Sequence, residues 1–204
     1  ILWVTPELVQ KIRLKNLDKF KSNVNSSYQK NTNNPNEISK IRSEIDKYMS
    51  KNHVIEYQKM SMFYGVNAYI NNNLLSKEYS KQFILSILDR SVNDGSNDAK
   101  PRGRLFALGV LYDWIDDYIP ESIRKQVRRR ILDYIEYCDS HWGFYSNPHY
   151  TGTHCRIANF CALAGLLAIR YDIEKDSDSD RSRYFKYLQI IVDNWRYGYN
   201  LVES

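Results

Sequence analysis

Glycine and proline are scarce in this chain, with eight and five among 204 residues. An architecture of many strands and tight turns uses more of both, so an all-β fold is disfavoured. Cysteine is scarcer still. Cys138, Cys155 and Cys161 make an odd number with no Cys-x-x-Cys pair, which supports neither a disulfide framework nor a cysteine zinc site. They are expected as buried free thiols, with one bridge, such as Cys138 to Cys155, as the alternative. No run approaches the ~20 apolar residues of a membrane span. The best, Ile157 to Ile169, suits a core helix, so membrane insertion is not expected. Phosphate-binding loops, dinucleotide fingerprints, Gly-x-Ser-x-Gly elbows and nucleophilic-cysteine contexts are all missing, and no cofactor is expected.

What is present is the balance of a folded globular protein, 43% hydrophobic and 26% charged. The length suffices for one large domain with a real core. A net charge of +5 is mild, and the basic residues are spread along helices rather than gathered in a tract. That pattern fits an acidic ligand, such as a uronic-acid polymer, better than nucleic acid. Aromatic residues reach 14%, including 17 tyrosines. Such rings can lie flat on sugars while offering an OH or NH, and they also pack helices together. The chain starts at Ile1 without an initiator methionine or signal peptide and stops just after a predicted helix. A fragment of a longer chain is expected.

Helical periodicity runs the length of the sequence. Thr5-Pro6-Glu7 reads as a helix start, with Leu8, Ile12 and Leu17 as its apolar stripe. An exposed loop is expected over Asn23 to Asn36, then helices over Glu37 to Tyr48 and Val54 to Asn71. Ser76 is expected to cap the next helix, which carries Tyr79, Phe83, Ile84 and Ile87. After a polar break at 93–98, helices are predicted over Arg102 to Tyr118, Ile123 to Cys138, His154 to Tyr171 and Tyr184 to Arg196. Asp172 to Asp180 reads as an acidic loop. No segment asks for a strand. Apolar helices alternating with amphipathic ones suggest a single all-α domain of antiparallel hairpins, either a double-layered helical barrel or a compact bundle.

Chemistry-bearing side chains concentrate between Trp142 and Asn159, where a polar loop holding Tyr145, Asn147, His149 and Tyr150 feeds a helix opening near His154. Histidine serves as acid or base near neutral pH, and an asparagine amide can donate to a carboxylate or oxyanion. His154 and Asn159 are five residues apart, so one is expected to face a cleft and the other the packing. A metal site from His141, His149 and His154 is disfavoured, because no His-x-x-x-His pair exists and few carboxylates are near. Arg102 and Arg104 open a helix that also carries Tyr112 and Trp114. They can grip carboxylates or sulfates, or pair with Asp113, Asp116 or Asp117. Lys125 and Arg128-Arg129-Arg130 read as a solvated outer face. Tyr197 and Tyr199 are candidates for proton transfer, with packing at a helix end as the plainer alternative.

Three stretches carry a resemblance: Leu2-Trp-Val-Thr-Pro-Glu-Leu-Val; Arg104-Leu-Phe-Ala-Leu-Gly-Val-Leu-Tyr-Asp-Trp-Ile followed by Pro-Glu-Ser-Ile-Arg; and Asn147-Pro-His149 with Gly152-Thr-His154, Asn159 and Ala162-Leu-Ala-Gly-Leu-Leu-Ala-Ile. In this order they resemble the helical domain of heparinase II/III-like polysaccharide lyases. The resemblance implies an incomplete (α/α) toroid followed by β-sandwich domains beyond this chain. It also implies a secreted or periplasmic enzyme that cleaves uronate-containing polysaccharide by β-elimination. On matching positions Asn147 and His149 would neutralise the uronate carboxylate, with His154 as a rival and Tyr199 as a poor match for the proton-transferring tyrosine. Arg102, Arg104, Tyr112, Trp114, Trp142, Tyr145, Tyr150 and Asn159 would line the substrate. Pro148 separates Asn147 from His149, which some members have adjacent. Two further classes stay open: a non-catalytic carbohydrate-binding helical domain, and an (α/α)-barrel glycoside hydrolase using carboxylates such as Asp113, Asp116 or Asp139.

Overall fold

A computed structural model describes residues 35–49, 54–93, 97–146 and 152–203, with the side chains of the last helix described as far as Arg196. Among the described residues all regular structure is helical. The helices are α1 (Pro35–Met49), α2 (Val54–Asn71), α3 (Leu74–Leu88), α4 (Ala99–Ile115), α5 (Glu121–Trp142), α6 (Thr153–Ile169) and α7 (Asp178–Glu203), with a short 3₁₀ turn at Ile173–Lys175. The helix expected near Thr5 to Leu17 lies outside the described residues.

Helix ends differ from the sequence expectation where capping decides them. Asn73, not Ser76, caps α3: its Oδ1 accepts the Ser76 N–H at 2.8 Å, so the helix begins earlier. Pro35 opens α1, where a missing N–H removes no helical bond. α5 runs past Cys138 to Trp142 and stops at Gly143, whose left-handed backbone (φ 62°) lets its N–H reach the Asp139 carbonyl at 2.8 Å. The acidic stretch expected as a loop is mostly structured, through the 3₁₀ turn and the start of α7. There the Ser177 hydroxyl accepts the Asp180 N–H at 3.2 Å, and Asp178 and Asp180 sit at the positive end of the helix dipole.

The helices pack around α4. α4 packs most closely on α2 and α6 and also meets α3 and α5, while α1 lies chiefly on α3 and α7 lies against α6 and α5. α4 is the most enclosed element, with every residue of 101–112 buried, Arg102 and Arg104 among them. Its approach to α6 is a backbone contact. A Cβ added to Gly109 would lie 2.8 Å from the Gly165 Cα, so the two helices touch where neither has a side chain.

The basic run on α5 is not a uniform solvated face. Lys125 and Arg129 are exposed, but Arg128 is 1% exposed and lies in a charged cluster. It meets Asp176 through Nε at 2.7 Å and Nη2 at 2.9 Å, reaches Glu121 at 2.8 Å, and donates to the Tyr112 hydroxyl at 3.1 Å. Tyr112 in turn donates to Asp172 at 2.6 Å, and Asp172 also binds Arg124 and Lys175. Arg130 turns the other way and donates to the carbonyls of Leu88 at 3.1 Å and Arg90, closing the C-terminal end of α3.

Candidate functional site

The loop after α5 is shaped by Asp139. Its carboxylate accepts the backbone N–H groups of Tyr145 at 3.1 Å and Ser146 at 2.8 Å, and the Ser146 hydroxyl as well. The loop therefore turns inward, and Phe144 and Tyr145 enter the core at 3% and 1% exposure. Asn194 of α7 donates to the Tyr145 carbonyl at 3.0 Å and to Asn159 Oδ1 at 3.2 Å. Asn159 donates to the Cys155 carbonyl at 2.9 Å. Of the pair expected to divide between cleft and packing, Asn159 is the buried member and His154 the exposed one.

His154 stands in the first turn of α6 with its ring 65% exposed, and its Nδ1 lies 2.9 Å from Asp98 Oδ2. The same Oδ2 receives Arg102 Nη2 at 2.7 Å. Arg102 Nε donates to the Asp98 backbone carbonyl at 3.0 Å, and Nη1 donates to the His154 carbonyl at 3.1 Å. The Phe144 ring covers this guanidinium at 5.6 Å, and the half-buried Trp142 stacks on Phe144 at 5.7 Å. A continuous series thus runs Trp142, Phe144, Arg102, Asp98, His154, from the end of α5 to the start of α6. It brings together three residues singled out from the sequence, Arg102, Trp142 and His154, and adds two that were not, Asp98 and Phe144. Asp98 carries one local signal, its position four residues before Arg102. Its partnership with His154, 56 residues on, carries none.

Other candidates lie elsewhere. Arg104 is buried at 1%, 3.4 Å from the Ser91 carbonyl. Tyr112 is enclosed in the Arg128 cluster, where burial and then its bond to Asp172 push its hydroxyl up to about 12. Trp114 is buried against Gly65 of α2. Burial likewise pushes the Tyr145 hydroxyl well above its ordinary value. These four side chains sit among helices rather than on the face that His154 occupies. Arg102 pairs with Asp98, which was not among the carboxylates considered for it, and Asp117 holds Lys77 at 3.0 Å. Asn147, His149 and Tyr150 lie outside the described residues, and Tyr199 belongs to the backbone of α7 with its side chain outside them.

The three cysteines are free and buried. Among the described residues no three histidine, cysteine, aspartate or glutamate side chains converge as metal ligands, and no helix is long and apolar enough to cross a membrane. Comparison with family models, with curated proteins and with solved structures finds no match in any of the three.

Proposed function

We propose that this chain is the helical, substrate-facing part of a polysaccharide lyase, an incomplete (α/α) toroid whose substrate is a uronic-acid-containing polysaccharide cleaved by β-elimination. The observation that carries the proposal is the exposed His154 with its Nδ1 on Asp98. With that nitrogen engaged, Nε2 is the atom available to meet a substrate. In the elimination, the base takes the proton at C5 of the uronate. The C–H electron pair becomes the C4–C5 double bond, the C4–O glycosidic bond breaks, and the leaving oxygen takes a proton. His154 fills the proton-accepting role. The packing of α4 against both α2 and α6, and the half-buried Trp142 stacked on the Phe144 that covers Arg102, support a sugar-binding surface on this side. Neutralisation of the uronate carboxylate falls to Asn147 and His149 on the resemblance alone. A secreted or periplasmic location belongs to the same proposal.

Incubating the intact protein with heparan, chondroitin, hyaluronan and alginate tests it. The expected result is the ultraviolet absorbance of an unsaturated uronate end with at least one polymer. New reducing ends without that absorbance would replace elimination by hydrolysis. Polymer binding without cleavage would make the chain a carbohydrate-binding domain.

A further inference from the structure

We infer that Asp98 and Arg102 are positioning residues for His154, holding its imidazole with a proton on Nδ1 and Nε2 directed to substrate. An ionised carboxylate can only accept hydrogen bonds, so the 2.9 Å contact at Asp98 Oδ2 requires the hydrogen on Nδ1. An exposed ring with a mobile acceptor would sample both tautomers. This acceptor is fixed. Asp98 and Arg102 have side chains 14% and 4% exposed, and Arg102 grips the pair from both sides, through the Asp98 carboxylate and carbonyl and through the His154 carbonyl. One guanidinium therefore sets the distance between the base and the carboxylate that orients it. Phe144 closes over that guanidinium at 5.6 Å. Arg102 meets His154 at its backbone carbonyl and bears on the imidazole by way of the Asp98 carboxylate, so it is a positioning residue.

The catalytic consequence rests on the proton-accepting role proposed for His154, whereas the tautomer does not. Long-range proton–nitrogen NMR correlations of the histidine rings, with His154→Gln to assign the signals, read the tautomer directly. In the intact protein the neutral His154 ring is expected to carry its proton on Nδ1. In Asp98→Asn, with helix content unchanged by circular dichroism, the Nε2–H form should appear. Arg102→Lys keeps the charge and three donors, but a single ammonium cannot span the separated acceptors that the planar guanidinium reaches, and it should give an intermediate mixture. A neutral ring already in the Nε2–H form, or an Nδ1–H form unaltered in Asp98→Asn, overturns the inference and leaves the lyase proposal standing. On the polymer that is cleaved, Asp98→Asn should lower kcat roughly 10²–10⁴-fold with KM little changed. An unchanged kcat beside an altered tautomer overturns the catalytic half. Failure of the intact protein to cleave any polymer refutes the proposed function without touching the NMR result.

Discussion

Arg128 Nε lies 2.7 Å from Asp176 Oδ2 with the two side chains 1% and 4% exposed, a paired charge shut between α5 and the loop before α7. Removing one partner of such a pair leaves an uncompensated buried charge. Arg128→Ala, which leaves Asp176 without its partner, should destabilise by about 3–5 kcal/mol, read by urea denaturation, and Asp176→Ala by less, because Arg128 keeps Glu121 at 2.8 Å. Replacing both by apolar residues of similar size should recover much of that loss. A single variant as stable as the parent would show that the pair is open to water.

Asp172 gives the same region an acid limit. Burial alone would raise its carboxyl, but hydrogen bonds from Lys175, Tyr112 and Arg124 outweigh that and hold it well below its ordinary 3.8. Because the folded value is depressed, the stabilisation is present in full above pH 3.8 and is lost as pH falls from there through the folded value. Asp172→Asn should be less stable than the parent at neutral pH, with the gap narrowing in acid below that point. A gap of constant size from neutral pH to strong acid would contradict this.

Between α4 and α6 the spacing is set by glycine. Gly109→Ala would set a methyl 2.8 Å from the Gly165 backbone, so the helices must move apart. A loss of about 1–3 kcal/mol is expected in thermal or urea unfolding. Because α4 packs closely on α6, an unchanged stability would mean that the two helices separate freely at this point.

Burial pushes the thiols of Cys155 up to about 11 and Cys161 up to about 12, and that of Cys138 further. All three should resist alkylation at neutral pH in the native state and react together on unfolding. Rapid native labelling of one of them would place it at the surface.

The helical class was legible because apolar spacing is a local property, and α2 (Val54–Asn71) matches its expected span. Helix ends were less legible where two residues compete to cap, as Asn73 and Ser76 do. Arg128 was misread because the basic run around it dominates the pattern, although it stands one turn before Leu132 on the apolar stripe. The sequence singles out His154 as a histidine in a polar segment, and the structure shows it exposed beside Asp98. Asp98 was hidden in the break before α4, since only the packing of α4 on α6 brings it to the imidazole.

The elimination chemistry assigned to His154 is tested most directly by the rate of ultraviolet absorbance on a cleaved polymer, in the intact protein and in His154→Ala. General-base catalysis of the usual strength predicts a fall of roughly 10²–10⁴-fold in kcat with the fold retained. A His154→Ala variant that produces the unsaturated uronate at the parent rate would contradict it.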